Sequence, residues 1–292
     1  PVNPSVAELE GLKCYPDARS CGKTVDLSII AVPNALVKAA VDDSIRAGAK
    51  AICIITAGFK ETGKAGAELE EEIAGLCRTS GVRLLGPNCL GLINTHHAMN
   101  ASFAKHMPSK GNISVLSQSG ALCTAILDWA AGRHLGLAKL ISMGNKADLS
   151  EIDFLHAFAA DKETRVIVGY LESIRSGDDF MRAAETAASQ KPVVIFKAGT
   201  TQAGVKAASS HTGSLAGADR AYGAAFKRSG IIRAETFEAL FDYATAFAMQ
   251  PLPRGDRVAI ITNAGGPGIM AADAVEKSGM KVGTLGGGTA TA

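Results

Sequence analysis

The sequence predicts an α/β fold with parallel sheets and helices on both faces, and three observations carry the prediction. Short apolar runs alternate with longer segments of helical spacing, glycines cluster where the apolar runs end, and 47% of the 292 residues are hydrophobic, enough to fill real cores. Glycine supplies 32 of the 292 residues, about 11% against an ordinary share of about 7%, which suits tight strand-to-helix turns. Ligands of such folds collect at the carboxyl ends of the strands.

VDLSIIAVP (25 to 33) is an apolar run closed by a proline, NALVKAAVDDSIRAG has helical spacing and a terminal glycine, and AKAICIITAG repeats the strand pattern, so the three form a βαβ unit. A helix is expected over 68 to 80, and RLLGPNCLG (83 to 91) supplies another short strand with a glycine-rich turn. HHAMNASFAKHMPSKG (96 to 111) breaks the alternation and reads as a linker. A second α/β unit follows, with strands NISVLSQ, LAKLISMG, TRVIVGYLE and PVVIFKAG and helices such as ALCTAILDWAAGR and SGDDFMRAAETAAS. After a further break at PLPRGD (251 to 256), RVAIITNAGGPGIMAADAVEKSG opens a third βα unit, too short to bury a core alone. The boundaries so read are 1–107, 108–252 and 253–292.

Composition narrows the partners. The net charge of +2 arises from 30 basic and 28 acidic residues mixed along the chain, so neither nucleic acid nor an acidic membrane surface is expected. The six cysteines lack CxxC spacing and several sit in apolar runs, which suits buried thiols in a reducing cytoplasm better than disulfides or zinc. No run of 18 apolar residues and no signal pattern is present, and a cytoplasmic location is the expectation.

Three turns have the composition of phosphate cradles. SQSGA (117 to 121) joins a strand to a helix, so backbone N–H groups and the Ser117 and Ser119 hydroxyls can converge on an anion at a positive helix terminus. NAGGPG (263 to 268) repeats the arrangement, and SSHTGSLAG (209 to 217) adds His211. A histidine nucleophile needs a neutral ring with one free nitrogen and an acceptor for the other N–H. Glu172, closing the apolar strand in VIVGYLES, stands where such an acceptor projects, or else caps the next helix. By composition alone, His211 reads as a polar residue in a turn rather than as a reactive one.

The motifs PVNP, AVPNAL, ITAGFKETG, GPNCLGLIN, LSQSGAL, SMGNKAD, YLES, FKAGTT, SSHTGSLAG and NAGGPG stand in the order found in the NDP-forming acyl-CoA synthetases. The chain resembles in particular the α part of the ADP-forming acetyl-CoA synthetases, relatives of succinyl-CoA synthetase. The resemblance implies a Rossmann-like CoA-binding domain (1–107, N-terminally truncated), a flavodoxin-like ligase domain with a phosphohistidine loop (108–252) and the start of a second flavodoxin-like domain (253–292). It implies the reaction acyl-CoA + ADP + phosphate ⇌ carboxylic acid + CoA + ATP through an acyl phosphate and a phosphohistidine.

By matching position, His211 is the histidine phosphorylated, Glu172 its orienting carboxylate, and Ser117, Ser119, Gly120, Gly265, Gly266 and Gly268 the phosphate cradle. Coenzyme A is expected along Pro1, Asn3 and Pro4, Val32 and Pro33, Thr56, Ala57 and Gly58, and Asn88 and Cys89. At Cys89 the turn's backbone is the better candidate, because the thiol reads as a packed small residue. GNKAD (144 to 148) resembles the acyl or phosphate pocket, though Asn145, Lys146 and Asp148 equally suit a surface turn. The family's first glycine-rich loop and its ATP-grasp region are missing from the sequence. ATP or ADP and Mg2+ are therefore expected on a separate β subunit or fused domain, with impaired CoA affinity here. The other implied partners are a short-chain acid or acyl-CoA, phosphate, and an oligomeric assembly. A second reading is an acyl-CoA-sensing regulatory region of a protein acetyltransferase.

Overall fold

A computed structural model describes residues 1–201, 219–284 and 286, and within them the α/β alternation holds. A small antiparallel hairpin, β1 (Glu8–Leu9) and β2 (Leu12–Lys13), turns on Glu10 and Gly11, both with positive φ. The first parallel sheet then follows, with order β3-β4-β5: β3 (Leu27–Ile30), α1 (Asn34–Arg46), β4 (Ala51–Ile54), α2 (Lys64–Thr79) and β5 (Arg83–Leu85). Helix α1 buries Val37 and Val41, one turn apart, and α2 buries Ile73, Ala74 and Cys77 at the same helical spacing.

Next come the hairpin β6 (Gly91–Asn94) and β7 (Met99–Ser102), then β8 (Lys110–Ser117), α3 (Gly120–Gly132), β9 (Leu137–Ser142), α4 (Glu151–Ala160), β10 (Val166–Leu171), α5 (Gly177–Ala188) and β11 (Val193–Lys197). After the undescribed stretch, α6 (Asp219–Arg228), β12 (Ile232–Ala234) and α7 (Phe237–Met249) complete a seven-stranded sheet, counted among the described residues, of order β12-β11-β10-β8-β9-β6-β7. Five strands are parallel, while β6 and β7 run antiparallel at one edge. One face packs on α4, α5 and α6 through Leu155, Phe158, Phe180 and Phe226, and the other on α3 and α7 through Ile126, Ala130, Leu240 and Phe241.

The hairpin differs from the expectation of a linker over 96 to 111. Residues 91–102 belong to the second sheet, because Leu92, Ile93 and Asn94 pair with Ile141, Leu140 and Lys139 of β9, and Ile93 is fully buried in that sheet's core. The crossover needs a bare backbone: Gly91 has φ +111°, and a Cβ there would lie 2.3 Å from the Ala101 carbonyl oxygen. Polar and small residues in HHAMNASF concealed β7, whose one partner is β6, and β6 in turn pairs with β9 in a distant part of the chain.

Residues Pro1–Met249 form one compact unit and Gln250–Ala292 a second. In the first, Cys53 and Leu85 from the three-stranded sheet join Leu116 and Ile141 from the seven-stranded sheet in a single cluster. The second holds a parallel pair, β13 (Arg257–Val258) and β14 (Lys281–Val282), connected by α8 (Gly265–Lys277), with Val275 buried. All six cysteines are free thiols, and among the described residues no helix is long and apolar enough to cross a membrane and no cluster of three potential metal ligands occurs.

Candidate active site

At the carboxyl edge of the seven-stranded sheet, four neighbouring strands end in polar residues that bind one another. Ser119 is the N-cap of α3 and accepts from Leu122 N at 3.3 Å, while the Ser117 hydroxyl donates to Ser119 O at 2.9 Å and accepts from Ser119 N at 3.0 Å. The two hydroxyls therefore shape the turn instead of pointing outward together. The N–H groups at Gly120 and Ala121, which an α-helix cannot bond internally, are left at the positive helix terminus. Between the two serines, Gln118 reaches across to β10: its Oε1 accepts from Glu172 N at 2.6 Å and Ser173 N at 2.9 Å, and its Nε2 donates to Ser173 O at 2.7 Å.

Glu172 is 9% exposed. It does not cap the following helix, since α5 starts at Gly177 with Ser176 as its N-cap. Burial first, and the neighbouring Glu172 carboxylate second, push the Tyr170 hydroxyl up to about 12. Lys197, at the end of β11 and 3% exposed, donates to Glu172 O at 2.8 Å and to Ala198 O, and its ammonium lies 4.4 Å from the centre of the Tyr222 ring. Burial lowers this ammonium to about 8, Asp219 and Glu172 opposing the shift and Arg233 and Lys146 adding to it.

The GNKAD turn is not a surface turn. Lys146, in the left-handed region at φ +58° and 6% exposed, donates to Glu151 Oε2 and Ser173 O, both at 2.9 Å, and Arg175 returns a bond to the Lys146 carbonyl at 2.7 Å. Burial holds the Lys146 ammonium below the usual lysine range against the pull of Glu151. Asn145 turns to the first sheet, where its Nδ2 donates to Glu61 Oε2 at 2.6 Å and Glu70 Oε2 at 2.8 Å, and its Oδ1 accepts from Asn88 Nδ2 at 3.2 Å. Burial works against the Glu61 charge, but bonds from Asn145, Gly58 and Phe59 outweigh it and hold the carboxyl below the usual range. Asp148 is a fastener: it accepts from Arg83 Nε and from Leu84 N, each at 2.9 Å.

Of the positions expected to hold CoA, two turns stand side by side: Thr56 Oγ1 donates to Val32 O at 2.7 Å and Asn34 Nδ2 donates to Gly58 O at 2.9 Å. Pro33 and Ala57 are exposed along that rim, so small side chains and backbone groups front it. Gly58, at φ +103°, lies under the Asn34 amide, 3.1 Å from where its Cβ would be. Pro1 and Asn3 bracket Tyr15, with Tyr15 N donating to Pro1 O and Asn3 N to Tyr15 O, and the exposed Pro4 follows. Asn88 adopts φ +57° and donates its N–H to Thr56 O. The Cys89 thiol faces the core, 3.3 Å from Ile54 O and 3.8 Å from Cys53 Sγ, and the Cys53 thiol together with burial pushes it well above the ordinary thiol range. The thiol is thus turned away from the rim, and Asn88 is the partly exposed residue of that turn.

In the second unit, Gly265, Gly266 and Gly268 form the first turn of α8, whose N-cap Ala264 makes no side-chain cap bond. Thr262 Oγ1 bonds Ala264 N and O, each at 3.1 Å, the same device that Ser117 provides for Ser119. His211 lies outside the described residues. Sequence reasoning missed Gln118, Lys197, Glu61 and Glu70. A signal existed for Lys197, a lysine closing an otherwise apolar strand before a glycine turn; none existed for the others, whose contacts across the site, to Asn145 and to the Glu172 backbone, are remote in sequence.

Residues 1–95 match the family model of the CoA binding domain, and residues 110–247 match that of the succinyl-CoA ligase like flavodoxin domain. The acetate–CoA ligase (ADP-forming) I of Archaeoglobus fulgidus is 49% identical over 279 residues, covering 96% of this chain and 40% of the relative. The α subunit of acetate–CoA ligase (ADP-forming) II of Pyrococcus furiosus is 43% identical over 285 residues, covering 98% and 62%. Among solved structures, the dinucleotide forming acetyl-coenzyme A synthetase 1 of Ca. Korarchaeum cryptofilum, in complex with phosphate and ADP, matches with a TM-score of 0.93 at 40% identity, over 98% of this chain and 62% of that one. The chain thus spans between two fifths and two thirds of the length of these relatives.

Proposed function

This chain belongs to the NDP-forming acyl-CoA synthetases, and from that premise we propose that it is the α portion of an enzyme interconverting acyl-CoA, ADP and phosphate with a carboxylic acid, CoA and ATP. Phosphate attacks the thioester carbonyl, CoA leaves as the thiol, and an acyl phosphate forms. His211 then takes the phosphoryl group on a ring nitrogen, releasing the acid, and passes it on to ADP. Neutral imidazole is required for the attack, and Glu172 accepts its other N–H so that the free nitrogen faces the phosphorus.

The observation that carries the reading is the alliance at the sheet's carboxyl edge: Gln118 ties the start of α3 to the backbone of Glu172, beside the strand from which the chain runs on to His211. The open N–H groups of Gly120 and Ala121 stabilise a dianion without supplying a proton, as the start of α8 with Gly265, Gly266 and Gly268 is suited to do. CoA lies along Pro1, Asn3 and Pro4, the Val32–Pro33 and Thr56–Gly58 turns, and the backbone at Asn88 and Cys89. ATP or ADP with Mg2+ belongs to an ATP-grasp subunit or domain outside this sequence, and the assembly is oligomeric in the cytoplasm. Glycines and small residues around His211 give that segment the backbone freedom needed to travel between stations.

With its nucleotide-binding part supplied, the protein should incorporate acid-labile label from γ-labelled ATP, and His211→Ala should abolish it. Full labelling of His211→Ala would remove the assignment.

A further inference from the structure

Lys197 is a buried cation for which the reaction as written has no task. Its Nζ holds two backbone carbonyls, Glu172 O at 2.8 Å on β10 and Ala198 O on β11, and presents its remaining side to the Tyr222 ring at 4.4 Å. An ammonium has three donors and no acceptor, so this geometry spends its charge on the two strand ends and an aromatic face. The charged and titratable groups around it come from every neighbouring element: Glu172 after β10, Asp219 and Tyr222 on α6, Arg233 on β12 and Lys146 after β9. Arg233 is itself engaged, with Asp219 at 2.7 Å and Glu235 at 3.2 Å, and among the described residues Lys197 is the cation bonded to the Glu172 carbonyl.

The strand ends so joined are not arbitrary. One delivers Glu172, whose N–H is already fixed by Gln118 on the opposite side; the other leads through Gly199, at φ +70°, toward residue 211. We infer that Lys197 is a positioning residue for phosphoryl transfer: by clamping the ends of β10 and β11 it fixes the Glu172 carboxylate relative to the chain that carries His211. The inference rests on the roles given to Glu172 and His211 above. It assigns Lys197 no contact with substrate; its effect passes through Glu172. A small misplacement of a group that orients a nucleophile costs about 10- to 100-fold in rate.

The test is single-turnover labelling from γ-labelled ATP, in the enzyme complete with its nucleotide-binding part, on a double-mutant cycle of Lys197→Met and Glu172→Gln. Lys197→Met should slow labelling about 10- to 100-fold while leaving the ATP concentration for half-saturation unchanged within about twofold. In the Glu172→Gln background the same change should cost little more, because the residue through which it acts is already disabled. Lys197→Arg, which keeps charge and donors, should recover part of the rate. Equal losses in both backgrounds, or wild-type labelling by Lys197→Met, overturn the inference. Should Lys197→Met melt below the assay temperature, a cycle with Lys197→Gln reads the same coupling. His211→Ala run alongside separates the two levels: label retained there removes the proposed function, whereas label lost there with an additive Lys197 cycle removes only the clamp.

Discussion

Glu172 owes its position to side chains that other strands contribute: Gln118 holds its N–H and Lys197 its carbonyl. Replacing it by glutamine keeps the shape and removes the charge, so Glu172→Gln should lower phosphoryl loading by about 100-fold or more while the melting temperature moves little, as labelling kinetics and calorimetry on one preparation will show. Lys197 gives a prediction in pH. Its folded-state value is lowered from 10.5 to about 8, so between those limits the unfolded chain binds a proton that the folded chain has released, and stability rises with pH across that window. Denaturant titrations of wild type and Lys197→Met should therefore diverge in favour of wild type as pH climbs from about 8 toward 10, and a constant difference would contradict the buried charge. The place of Glu172 at the end of β10 was legible in the sequence because an acidic residue follows an apolar run. Gln118 was not, because it sits 54 residues from the backbone groups it binds.

Among the elements, the turn following β9 matters most for how the two sheets meet. Gly144 has φ +56°, and a Cβ there would lie 2.3 Å from Pro87 O and 2.6 Å from Asn88 O, while Asn145 N and Ala147 N donate to the carbonyls of Pro87 and Gly86. Gly144→Ala should therefore cost about 1–3 kcal/mol in unfolding free energy, a cost that the exposed Gly132→Ala in α3, with nothing within 4 Å, should not show. The sequence displayed β3, β4, β8, β9, β10 and β11 plainly, since strands of a parallel sheet covered by helices are near-continuous apolar runs. It hid β6 and β7, an antiparallel edge pair with polar and small residues that draws its stability from β9. It also left the GNKAD turn undecided, because nothing local shows that Asn145 faces one sheet and Lys146 the other.

For the whole molecule, the shared cluster of Cys53, Leu85, Leu116 and Ile141 predicts that the three- and seven-stranded sheets lose structure together. Hydrogen exchange should give β4 and β9 the same opening free energy, with α8 in the second unit exchanging faster; separate openings for the two sheets would contradict a common core. The fold class was readable because each sheet announces itself by alternation. The passage of the chain to the second sheet already at Gly91 was not, since that stretch is short and mixed in composition. The central claim is that this chain takes a phosphoryl group from an acyl phosphate onto His211. Its most direct test exposes the protein to acyl-CoA and labelled inorganic phosphate without nucleotide, and then locates the label by peptide mapping under alkaline conditions. The account predicts release of free CoA with an acid-labile phosphate on the peptide containing His211; release of CoA with the label on another residue, or on none, would contradict it.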